Sequence, residues 1–148
     1  MRASRLWLAI ASLIAFGSAL PTTAFAHEIR PGYLELTARE ANVWDVLWKV
    51  PAKGDLRLGL YVVLPEDCEE TTVVARRAGT AHLETWRATC AEGLVGRSIE
   101  IEGLASMRTD VLVRIKHADA TTQTIRLTPG EPAFEVASAP SQLEVVAT

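Results

Sequence analysis

The chain reads as all-β, an antiparallel β-sandwich of the immunoglobulin-like kind preceded by a signal-peptide helix. Three observations predict it. Apolar residues alternate at period 2 in one segment after another, and turn signals recur at short intervals. Beyond the N-terminal leader no segment shows 3.6-residue periodicity, so sheet-on-sheet packing is the layer architecture left.

The leader comes first. Arg2 and Arg5 form a positive n-region, and Leu6 to Phe16 is an apolar h-region. Pro21 breaks the run, and Ala24-Phe25-Ala26 has the small-x-small form of a cleavage site. Even taken from Leu6 to Leu20 the run is short for a membrane span. Residues 1–26 are therefore expected to be a cleaved signal peptide, with the cut between Ala26 and His27. The product would be periplasmic or otherwise extracytoplasmic, with a free α-amine and an imidazole on its first residue.

Strand follows strand after Arg30. Gly32 to Glu40 alternates with Leu34, Leu36 and Ala38 on one face, Ala41-Asn42 turns the chain, and Val43 to Val50 returns with Trp44, Val46, Trp48 and Val50 in register. Pro51 to Asp55 punctuates. Leu56, Leu58, Leu60, Val62 and Leu64 give the cleanest alternating run, ended by Pro65 and an acidic loop, Glu66 to Glu70, around Cys68. Further strands are expected at Thr71–Arg76, His82–Cys90, Arg97–Glu102 and Asp110–His117, the last forming a hairpin with Thr121–Thr128 through Ala118-Asp119-Ala120. Phe134–Val136 and Leu143–Val146 read as short edge strands. The pattern places Leu34, Leu36, Trp48, Leu58, Leu60, Val62, Ile99, Ile101, Val111, Val113 and Ile115 in the core. It divides the chain into the leader, a sandwich over 27–137 and a tail or edge strand over 138–148.

Removing the leader leaves 122 of the 148 residues, enough for one domain with its own core. The leader holds two arginines and no acid, so the formal charge moves from −3 to −5. That balance argues against nucleic acid or an anionic membrane surface as partner. No second apolar run follows the leader, so no transmembrane segment is expected in the mature chain. Cys68 and Cys90 are an even pair in an exported chain and are expected to form one disulfide. A cysteine metal site is the weaker reading, since no CxxC occurs and His82 is the sole histidine between the two.

Catalytic signals are lacking. There is no GxSxG, no glycine-rich phosphate loop, and the Glu100/Glu102 pair is most simply the solvated face opposite Ile99 and Ile101. The expectation is a non-enzyme. Trp44 and Trp48 share a face with Val46 and Val50, which favours core packing over a ligand platform with Trp86. Of the three histidines, His82 reads as a surface strand residue and His117 as a hairpin-end residue. His27 differs: its amine and Nδ1 would chelate copper or nickel, with His82 or His117 as a second ring. Glu28 and the Glu66–Glu70 loop are weaker oxygen donors, and that loop lacks the glycine-spaced pattern of a calcium site.

The segment His27-Glu28-Ile29-Arg30-Pro31-Gly32-Tyr33-Leu34-Glu35-Leu36 resembles the extracytoplasmic N-terminal part of the HupE/UreJ family of bacterial membrane proteins. The similarity continues through Asp45–Pro51 and Gly54–Leu58, and resumes at Ile101–Leu104, Thr109–Arg114 and Arg126–Pro129. Proteins of this kind continue into membrane helices bearing histidine and aspartate motifs, and nickel or cobalt uptake is the role the resemblance implies. This sequence reaches Thr148 before any such helix, so transport itself is not carried over. What the resemblance implies is an exported sensing or docking domain whose partner is a membrane transporter component. The alternative is an autonomous periplasmic protein that binds a copper or nickel ion through His27.

Overall fold

A computed structural model describes residues 30–138. The leader, the Ala26–His27 cleavage site, Glu28 and the strand expected at Leu143–Val146 lie outside the described residues.

Alternation builds the first hairpin. In β1 (Gly32–Glu40), and in β2 (Val43–Lys53) as far as Val50, the buried residues are every second one, Leu34 and Leu36 facing Trp48 and Val46 across the ladder. Asn42 turns the hairpin with φ 67°, a left-handed conformation that asparagine tolerates well. β7 (Ala81–Cys90) pairs along the other side of β2. Two short strands, β5 (Cys68–Glu70) and β6 (Val74–Ala78), lie end to end along β7's far edge. β9 (Val111–Lys116) and β10 (Thr122–Leu127) form the expected second hairpin. The result is a large sheet in the order β10-β9-β1-β2-β7-β5. A small sheet, β11 (Ala133–Glu135), β8 (Ser98–Glu102) and β4 (Tyr61–Val63), covers part of one face. Side chains from both sheets share one core cluster, a sandwich-like arrangement.

Three expectations are corrected. The large sheet is mixed rather than antiparallel: β1 and β9 run parallel, Gly32 beside Val111 and Thr37 beside Lys116. The alternating run from Leu56 to Leu64 is not one strand. Leu56-Arg57 (β3) pairs with β2, whereas Tyr61–Val63 joins β8 in the other sheet. Between them the chain corners at Gly59, closed by a hydrogen bond from the Leu60 amide to the Leu58 carbonyl (2.9 Å). Leu60 is therefore fully buried, Leu58 and Val62 only pack against the core, and Leu56 is 75% exposed. The strand expected at Thr71–Arg76 is shifted, because the Thr71 amide bonds to the Arg87 carbonyl and pairing restarts at Val74.

The rest of the predicted core is in place. Leu34, Leu36, Ile99, Ile101, Val111, Val113 and Ile115 are all fully buried. Each such aliphatic side chain contributes about 1.5–3 kcal/mol relative to exposure. Gly103, at φ 86°, leads into a 3-10 turn, Leu104–Ser106, that buries Leu104 beneath the Gly59 corner. A Cβ at Gly103 would collide with the Gly59 carbonyl oxygen, so this close approach requires glycine.

Candidate functional site

The small sheet covers one face of the large sheet, and the opposite face carries the outward half of each alternation, charged and threonine side chains with Leu47, Leu83 and Leu112 among them. On that face Arg39 of β1, Asp45 of β2 and Arg87 of β7 meet. Arg39 Nε donates to Asp45 Oδ2 (2.5 Å) and Arg87 Nε to Asp45 Oδ1 (3.0 Å). Register makes the trio: Asp45 lies opposite Thr37 on one side and Arg87 on the other. The Arg39 hydrogen bond, opposed by partial burial and joined by that of Arg87, holds the Asp45 carboxyl below the usual carboxylate range. Both arginine side chains stay 58% exposed, so their outer N–H groups remain open to a ligand. They border a hollow of about 500 Å³ whose lining includes Thr37, Leu47, Thr85 and the Thr71-Thr72 loop.

A second row lies beside the first. Glu35 accepts from Tyr33 Oη (2.7 Å) and from Lys116 Nζ (2.8 Å). Burial alone would raise the Glu35 carboxyl, but the Lys116 and Tyr33 hydrogen bonds outweigh it and leave it lowered. Burial, then Glu35 itself, pushes the Tyr33 hydroxyl up. At the sheet's edge Arg126 pairs with Asp110.

The inner face holds a different kind of pair. Arg57 Nε and Nη2 bind Glu84 Oε1 and Oε2 (2.6 and 3.0 Å), while Nη1 and Nη2 also donate to the Leu58 and Leu60 carbonyls (2.8 and 3.0 Å). The guanidinium stacks over the Tyr61 ring at 4.7 Å. Those partners occupy most of its donors, so this pair fastens the Gly59 corner to β7 and is structural.

The residues singled out from sequence are dispersed. Cys68 and Cys90 are bonded, directly opposite each other on β5 and β7. The neighbouring carboxylates have separate partners: Asp67 accepts from the Glu92 amide (3.0 Å), which holds its carboxyl low, and Glu70 accepts from Trp86 Nε1 (2.7 Å). Arg97 Nη1 also comes within 2.5 Å of Asp67 Oδ1, an ionic contact without hydrogen-bond geometry. Trp44 and Trp48 are core residues and Trp86 is half-buried.

His82 and His117 lie at opposite ends of the sheet. His82 pairs with Val50, level with the start of β1, and His117 follows β9 beside the β1–β2 turn, its ring edge-on to Trp44 (centroids 6.4 Å). In each ring Nε2 is buried without a hydrogen-bond partner. His27 lies outside the described residues. Among the described residues no three of His, Cys, Asp and Glu converge as a metal ion needs, and no helix is long and apolar enough to cross a membrane. Compared with known proteins, no family model matches the chain and no curated protein matches it.

Arg39, Asp45 and Arg87 were not legible as a site. They come from three strands, and Arg87 is 42 residues from Asp45. The signal present was weak: charged residues at outward positions of otherwise apolar alternations.

Proposed function

We propose that this chain is an exported, non-enzymatic docking or sensing domain of a HupE/UreJ-like system related to nickel or cobalt uptake. The observation that carries the reading is the face of the large sheet that no element among the described residues covers, where exposed arginines are held in fixed directions by Asp45. A rigid, polar, helix-free face suits contact with another protein. The Cys68–Cys90 bridge is compatible with an oxidising compartment.

The experiment uses protein beginning at His27 and a HupE/UreJ-type membrane protein held in detergent. Saturable binding that weakens with salt is the expected result. No binding at about 100 µM, the weak end of transient interfaces, would overturn the reading.

A second reading, an autonomous copper- or nickel-binding protein, is favoured by the unpartnered Nε2 of His82. Two residues lie between His27 and Arg30, a reach of about 10 Å, and two strand spacings separate Gly32 from His82, again about 10 Å. His117 is about 20 Å further along the sheet. Titration with Cu(II) and Ni(II) should therefore show roughly tenfold weaker binding for His82→Gln and for a chain with one extra N-terminal residue. His117→Gln should bind as the parent does. Affinity should fall on acidification, because metal binding releases protons from the ligand nitrogens. Equal affinity in the extended chain excludes the site.

A further inference from the structure

Charge is sorted between the two outer faces of the sandwich. The small sheet turns Glu100, Glu102 and Glu135 outward, beside Tyr61 and Val63, and its strands present no cation there. On the open face of the large sheet the carboxylates are Glu35, Asp45, Glu69 and Asp110, with Glu40 at the β1–β2 turn bordering a hollow beside the trio. Against these stand more cations. Lys116 is matched by Glu35 and Arg126 by Asp110, but Arg39 and Arg87 share Asp45. Lys49, Arg76 and Arg114, at outward register positions on the same face, have no ion-pair partner among the described residues. A protein with net negative charge thus concentrates positive charge on one sheet face.

The geometry points to this face as a docking surface for an acidic protein segment, with the Arg39–Asp45–Arg87 trio as its anchor. Three features argue for carboxylates as the recognised groups. Each guanidinium uses Nε on Asp45, which fixes its plane and leaves its Nη donors for a second planar, bidentate acceptor. The threonine hydroxyls of the adjoining hollow add neutral donors. The surplus cations stand on alternate strands, Arg114 on β9, Lys49 on β2 and Arg76 on β6, about 10 Å apart across the sheet, and their long side chains can reach carboxylates spaced about 7 Å apart at alternate positions of an extended segment. Asp45 positions the anchor: it lowers the local charge but holds both forks.

This deepens the docking reading, on which it rests, by naming the surface and the partner's chemistry. The test uses protein beginning at His27 and a fluorescein-labelled peptide of alternating glutamate and valine. Binding should be saturable and weaken steeply between low and physiological salt. Arg39→Gln with Arg87→Gln should weaken it about tenfold or more with the melting temperature unchanged, whereas Glu100→Gln with Glu102→Gln on the opposite face should not.

Asp45→Asn separates a positioned anchor from diffuse attraction. It makes the face more positive, so simple attraction predicts tighter binding, and the anchor predicts weaker binding. Tighter binding overturns the proposal. So does a response only to phosphatidylglycerol vesicles, or self-association in sedimentation with no peptide bound, since the acidic face of a second copy would then be the occupant. Membrane-protein binding that ignores the arginine substitutions leaves docking standing and removes this surface. Peptide binding without membrane-protein binding does the reverse.

Discussion

Trp48→Ala is expected to destabilise the domain by about 3–5 kcal/mol, the cost of truncating a buried large aromatic. The indole is 1% exposed and sits over Gly32, whose missing side chain makes room for it: a Cβ there would be 3.0 Å from Trp48 Cη2. No neighbouring side chain stands ready to fill the void, because Leu34 and Val50 are already fully packed. Trp48 Nε1 also donates to the Leu60 carbonyl (3.3 Å), tying β2 to the Gly59 corner. Trp48→Phe separates the two contributions. It keeps most of the buried area, and Arg57 still satisfies the Leu60 carbonyl, so the loss should be nearer 1–2 kcal/mol. Urea unfolding measures both. A Trp48→Ala loss no larger than that of Trp48→Phe would show that the indole is not a core anchor. Against a typical total of about 5–15 kcal/mol, the alanine variant gives up a large share of the fold's stability.

Loss of the Cys68–Cys90 bridge is expected to cost about 3 kcal/mol, because the open chain regains the entropy of a loop closed over 22 residues. The effect should also be local. β5 has three residues and its ladder partner among the described strands is β7 alone, so without the bridge little holds it in register. Hydrogen exchange at Cys68–Glu70 should accelerate before that of β1 or β2 in the Cys68→Ala, Cys90→Ala protein. Urea unfolding with and without reductant gives the global number. A difference below about 1 kcal/mol would mean that the unfolded chain is already compact between the two cysteines.

Period-2 patterning carried most of the fold. It located β1, β7, β8, β9 and β10 to within a residue, because each buries one face and burial fixes the alternation, and it placed the start of β2 but ended it at Val50, three residues short of Lys53. It failed where alternation continued through a change of sheet. Leu56 to Leu64 keeps its rhythm on both sides of Gly59, yet the corner sends the two halves to different partners, and hydrophobicity alone does not record that. The parallel pairing of β1 with β9 was equally hidden, since strand direction follows from the intervening connections. The disulfide was legible because a chain with two cysteines has one intramolecular pairing open to it. The arginine trio was not, because its members become neighbours only once β1, β2 and β7 are in register.

β1 is the first strand among the described residues, yet it lies inside the sheet, with its neighbours arriving at very different times. β2 follows at once, and a hairpin of this kind closes in about 1–10 µs. The other flank stays open until residues 111–116 are available, since Gly32 to Thr37 pair there with Val111 to Lys116. Closing that contact spans most of the domain, which puts the fold among the slower, non-local class, with times of about milliseconds to seconds. Throughout that interval Leu34 and Leu36 sit on an unpaired strand edge, the kind of surface that invites pairing with another chain. A kinetic hazard therefore lies in the native topology itself. The residues most dangerous to a nascent copy are the same ones that later form the centre of its core.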